Sequence, residues 1–156
     1  MSSPPTAPAP RWPLILLRST ATTLAVVALL QTLLAASFLN GTYESLKEHA
    51  DNATILAAVV LLQLAAAVLV RWPGRGPLWP LWTTAVLAVA ATGQIGAGYA
   101  RALGLHVMLG VLLVSGVLFG LVDTWRVPLP VRADTEAGPD SAGRLPRPGR
   151  PVEVAQ

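Results

Sequence analysis

Four long apolar runs, each marked by one polar residue, set the pattern of this chain. They run from Ser19 to Leu39 around Gln31, from about Asn52 to Val70 around Gln63, from Leu78 to about Tyr99 around Gln94, and from Ala102 to Val122 around His106. Each holds about 20 residues, the number a helix rising about 1.5 Å per residue needs to cross a hydrocarbon core of about 30 Å. A spanning strand needs only about half that length, so the runs predict helices at 19–39, 52–70, 78–99 and 102–122. Pro80 falls in the first turn of the third, where its missing N–H breaks no hydrogen bond. The expected fold is all-α: an integral membrane four-helix bundle with up-down-up-down topology. The inner loop RWPGRGP is short enough to make the second and third helices antiparallel neighbours.

The ends read differently. Residues 1–13, MSSPPTAPAPRWP, carry no apolar periodicity and too much proline to fold, and 127–156 form a Pro/Arg-rich tail. Both are expected to be disordered, which leaves a helical domain at 14–126. The first run also competes with a cleaved signal peptide, for which Leu34-Ala35-Ala36-Ser37 resembles a cleavage site. Its apolar length exceeds the usual signal core of about 7–15 residues, which favours a retained helix.

Charge gives the expected orientation. Arg11 and Arg18 precede the first helix, Arg71 and Arg75 link the second and third, and Arg126 and Arg132 follow the fourth, against only Lys47 and Arg101 on the opposite side. Positive residues favour the cytoplasmic side, so both termini are expected inside. Trp12, Trp72, Trp79, Trp82 and Trp125 fall at that interface, and Tyr43 and Tyr99 at the outer one.

Composition agrees with a lipid partner. Charged residues make up 12% of the chain, against about 25% in soluble domains, and the net charge of +3 lies in loops and tail. No face could track phosphates, so a nucleic-acid partner is not expected. Arg144, Arg147 and Arg150 are placed to rest on anionic lipid. The absence of cysteine excludes disulfides, thiolate metal sites, iron–sulfur clusters and a cysteine nucleophile. These features predict a multi-pass protein of the cell membrane.

The chain has two histidines, in matching places. His49 opens the second helix and His106 the fourth, both at the outer side, and each is followed four residues later by a small residue, Ala53 or Gly110. Such an arrangement suits bis-histidine haem: an imidazole from each of two facing helices, with small residues where a flat macrocycle approaches backbone. An ionisable group in a spanning segment is a functional candidate by default. The competing reading has His49 facing headgroups beside Glu48 and Asp51. Gln31 and Gln94 occupy equivalent depths in the other two helices, as interhelical hydrogen-bonding groups or as acceptors for the second imidazole nitrogen. Gln63 lies about 21 Å deeper than His49, toward the inner side, and is expected to serve as an interhelical hydrogen-bonding group. Together these positions make a weak internal repeat, glutamine, outer loop, histidine, occurring twice.

Gln94-Ile95-Gly96-Ala97-Gly98, the short outer loop, Leu105-His106 and Gly110 resemble the third and fourth helices of a haem A synthase half. The resemblance covers about residues 14–125, and similar four-helix, histidine-bearing chains occur as small bacterial membrane proteins. It implies that His49 and His106 are the axial ligands of one b-type haem. The synthase pattern has a glutamate three residues before the second-helix histidine and an arginine just after it, where this chain has Leu46 and Ala50. It also has two such halves, and often an outer cysteine pair. Haem binding therefore carries over and haem hydroxylation does not.

With haem bound, propionates would point outward toward Lys47 and Arg101, the only outer cations. No nucleophile–base pair, phosphate loop or carboxylate pair lies in the membrane part, so the chain is not expected to be an enzyme on its own. The leading expectation is a haem-carrying module for electron transfer or redox sensing, with a redox partner protein or a second copy of itself. The alternatives are a cofactor-free scaffold or accessory subunit packed through Gly93, Gly96 and Gly98, and an outer metal site from Glu44, Glu48, His49 and Asp51.

Overall fold

The computed structural model describes residues 10–128, which form four helices and no strand: α1 (Trp12–Leu39), α2 (Ser45–Arg71), α3 (Trp79–Tyr99) and α4 (Leu103–Arg126). All four are long and apolar enough to cross a membrane. Helix α1 packs on α2 and α4, α3 packs on the same two, and the diagonal pairs do not meet backbone to backbone. That is the expected up-down-up-down square. The proposed tail and most of the N-terminal lead lie outside the described residues.

Two helices start a full turn or more before their apolar runs. Helix α1 begins at Trp12 rather than Ser19, with Pro13 in its first turn, so the boundary of the helical domain moves outward from residue 14. Helix α2 begins at Ser45 rather than Asn52, and the polar stretch Glu48–Asp51 is helical. Hydropathy marks the part of a helix that lipid surrounds, while backbone hydrogen bonding continues past it into the interface. The consequence matters for the site: His49 sits on the second turn of a helix and not in a loop. Helix α4 likewise runs one turn beyond Val122.

The buried side chains of α1 recur every three or four residues, from Pro13 and Leu14 through Leu17, Ala21, Leu24 and Ala25 to Ala28, and then stop. One core cluster joins Leu24, Ala28, Leu56, Val60, Leu87, Leu113 and Val117 at the middle of the bundle. A second joins Leu14, Leu17, Ala66, Ala67 and Val70 toward the end where the tryptophans lie. The opposite end, bearing both histidines, is packed more loosely. Outward-facing positions are apolar as well, with Leu61 62% and Val89 75% exposed, a surface that suits acyl chains rather than water.

Arg18, expected as a flank before the first helix, lies inside α1. Its Nη2 donates to the carbonyls of Trp125 (3.2 Å) and Val127, and the guanidinium stands 4.9 Å from the centre of the Trp125 ring. It thereby caps the open carbonyls of α4 and ties the first helix to the last. Arg18→Ala is expected to lower stability by about 2 kcal/mol, the worth of hydrogen bonds from a charged donor. Arg18→Lys should lose part of this, because a lysine keeps the charge but not the planar contact with indole. Equilibrium unfolding in detergent micelles measures both.

Candidate functional site: two imidazoles in a four-helix cavity

The four helices leave a cavity of about 490 Å³ at the histidine end, within the range of about 300–1,000 Å³ usual for ligand sites. Helix α1 contributes Gln31 and Ala35 to its wall, α2 His49 and Ala53, α3 Gln94 and Gly98, and α4 His106. The remaining lining is mainly apolar, including Phe38, Leu46, Ile95 and Leu103.

Both histidines are fixed in the same way. The Nδ1 of His49 lies 3.1 Å from the backbone oxygen of Gln31, and that of His106 lies 2.9 Å from the backbone oxygen of Gln94. A carbonyl has no proton to give, so in each contact Nδ1–H donates. In the neutral ring this leaves Nε2 with a bare lone pair, the form in which imidazole binds a metal. A histidine ligand commonly has its other nitrogen held by a carbonyl or carboxylate in this way, which sets ring orientation and raises basicity. The sequence pointed to Gln31 and Gln94 as acceptors; the atoms used are their main-chain oxygens.

The helix geometry explains why glutamine's side chain is not needed for this bond. A helix carbonyl retains a second lone pair beside its bond to the N–H four residues on, and a small residue at that place uncovers it. Here those residues are Ala35, four after Gln31, and Gly98, four after Gln94. A Cβ on Gly98 would stand 3.0 Å from Cε1 and 3.1 Å from Nδ1 of His106. Gly98 is therefore a site residue, although the sequence presented it only as one of three packing glycines. The signal for it was its spacing from Gln94, matched by Ala35 in the first half.

The two imidazole centres are 6.0 Å apart with ring planes at 63°. Two imidazoles on opposite sides of one metal ion, with metal–nitrogen bonds of about 2.0 Å, place their ring centres about 6 Å apart. With both Nδ1 atoms engaged, the two Nε2 atoms are the ring nitrogens left able to hold a metal-centred group in this mainly apolar cavity. No group of three or more His, Cys, Asp or Glu able to hold a metal ion occurs among the described residues, so the outer acidic site expected from Glu44, Glu48, His49 and Asp51 is not assembled.

The other expected residues divide. Ala53 lines the cavity, whereas Gly110 does not; its missing Cβ makes room for the Gln94 amide, whose nitrogen would stand 2.9 Å from it. Gln63 is buried with Oε1 unpartnered, so the interhelical hydrogen bond expected of it is not formed among the described residues. Lys47 points to solvent and pairs with Asp51 at 2.6 Å, so its charge is already shared. Arg101 pairs with no acid among the described residues. It stands between the lining residues Tyr99 and Leu103 with a φ of +56°. The equivalent turn between α1 and α2 uses Gly41 at φ +95° for its left-handed position.

Comparison of the chain with protein-family models, with curated proteins and with solved structures gives no match.

Two substitutions at residue 98 separate ligand positioning from general packing. Gly98→Ala copies Ala35 of the first half and is expected to keep the His106 contact with a small retreat of the ring. Gly98→Val crowds the imidazole, which should expel it from the Gln94 carbonyl and abolish ligand binding in the cavity while the helix content seen by circular dichroism stays unchanged.

Proposed function

We propose that this chain is a multi-pass protein of the cell membrane that carries one b-type haem between His49 and His106, close to its outer face, for electron transfer or redox sensing. The observation that supports this reading most strongly is the matched pair of Nδ1-to-carbonyl hydrogen bonds, which leaves both Nε2 atoms bare across a 6.0 Å ring separation. When bound, the haem supplies a one-electron couple whose potential depends on axial ligands, burial and nearby hydrogen bonds. The chain's own residues do the rest. The Gln31 and Gln94 carbonyls draw on the imidazole N–H groups and make both rings better donors. Mainly apolar side chains from all four helices line the space around them. Arg101, with no acid beside it, is the natural partner for a propionate; Lys47 is second to it because Asp51 already holds its charge.

The orientation in which the tryptophan end is cytoplasmic follows from the arginines gathered there. It places the cavity at the outer leaflet, so an electron partner would dock from the outside, as a separate redox protein or a second copy of the chain.

One observation favours a cofactor-free scaffold instead: rings 6.0 Å apart at 63° also satisfy the geometry of an ordinary edge-to-face pair. A reduced-minus-oxidised visible spectrum of the protein purified after expression with ample haem separates the two. A sharp low-spin spectrum, lost in both His49→Ala and His106→Ala, is the expected result. Colourless protein from the parent chain would leave the scaffold reading standing.

A further inference from the structure

The two histidine hairpins share a plan but not a strength. In the first, Gln31 Nε2 donates to the backbone oxygen of His49 at 2.9 Å, and Asn52 Nδ2 donates both to Gln31 Oε1 and to the backbone oxygen of Val27 at 3.1 Å. Asn52 is only 5% exposed. The glutamine, the asparagine and the histidine backbone thus form a closed network that ties α1 to α2 at the level of the His49 ring. Both the amide nitrogen and the amide oxygen of Gln31 are bonded, and shared bonds of this kind add rigidity to a buried network.

In the second hairpin the residue three after the histidine, where Asn52 stands in the first, is Leu109. Leucine offers no donor. Gln94 Oε1 is accordingly buried without a hydrogen-bond partner, and no side-chain bond runs from Gln94 to the His106 backbone. The packing differs in the same sense. Buried Ser45 and Asn52 bracket His49 along α2, whereas α4 has no buried residue before Leu113. His106 also lies in the first turn of its helix, directly after a turn whose left-handed position is filled by Arg101 rather than glycine.

We propose, building on the haem reading of the cavity, that His49 is the fixed ligand and His106 the exchangeable one, and that a small uncharged diatomic of the carbon monoxide class takes the place of His106. His106 has one polar tie to its neighbouring helix, the Nδ1 contact with the Gln94 carbonyl, while His49 has that contact and the Asn52–Gln31 network behind it. With haem bound, exchange would break the bond from His106 Nε2 to the iron and form one from the incoming molecule's lone pair, with no change of oxidation state and no bond within either molecule broken. The pocket selects a neutral ligand because its wall holds no lysine or arginine among the described residues to balance an anion.

Carbon monoxide titration of the reduced, haem-loaded full chain tests this, with the spectrum before addition serving as its own control. Binding with loss of the six-coordinate spectrum is expected in the parent. His106→Ala should retain haem on His49 and bind carbon monoxide faster than the parent, whereas His49→Ala should lose most of its haem. Leu109→Asn gives Gln94 the partner that Asn52 gives Gln31, and should slow binding roughly fivefold, the worth of one interhelical hydrogen bond. Should that variant fail to fold, the two alanine variants still decide the order of the ligands. A parent that holds haem but does not bind carbon monoxide overturns the inference, as does haem kept by His49→Ala and lost by His106→Ala, or a folded Leu109→Asn that binds at the parent's rate. A parent without haem is recognised before any gas is added and overturns the underlying reading as well.

Discussion

A ring N–H held by a main-chain carbonyl of the neighbouring helix is the interaction on which this site depends. It occurs twice, His49 on Gln31 and His106 on Gln94, and each time it crosses one antiparallel hairpin. The bond fixes three things together: the tautomer, the direction of the ring and the depth of the ring in the bundle. It also meets the need of a polar N–H in a low-dielectric environment, where an unpaired group is costly. What remains is a pair of bare nitrogens facing a cavity that neither hairpin could form alone. The small residues at 35 and 98, the short turns and the four-helix square are the conditions for that bond to form twice at one level.

The helices and their order are legible in the sequence because lipid imposes a length and a composition that few other environments do. The ends are not, since interfacial residues such as Lys47, Glu48 and Asp51 are polar and helical at once. This is why the apolar run begins only at Asn52, three residues after His49, while α2 itself begins at Ser45. The matched histidines and glutamines are visible as a repeat, and so is the idea of an acceptor for each ring. Which atom accepts is hidden, because a main-chain oxygen leaves no trace in residue type; only the spacing from Gln94 to Gly98 and from Gln31 to Ala35 hints at it. Asn52 and Leu109 escape notice for another reason. Their importance lies in the difference between two halves that the repeat invites one to treat as equal.

The distribution of packing agrees with where chemistry is expected. The middle and tryptophan end carry the core clusters and the Arg18 cap, and the histidine end gives up close packing for a cavity. Association in lipid gains little from burying apolar surface, so polar ties and small-residue contacts decide which hairpin is rigid. By that measure α1–α2 is a firm platform and α3–α4 the adaptable half, with the cavity lying between them.

The most direct measurement of the central claim is nitrogen-15 NMR of the two imidazoles in lipid, recorded without and with added haem. The account predicts a proton on Nδ1 and a bare Nε2 in both rings, the less common tautomer in water, with both Nε2 resonances shifting together when haem is added. A proton on Nε2 of either ring, or added haem that leaves either Nε2 resonance unmoved, would contradict it.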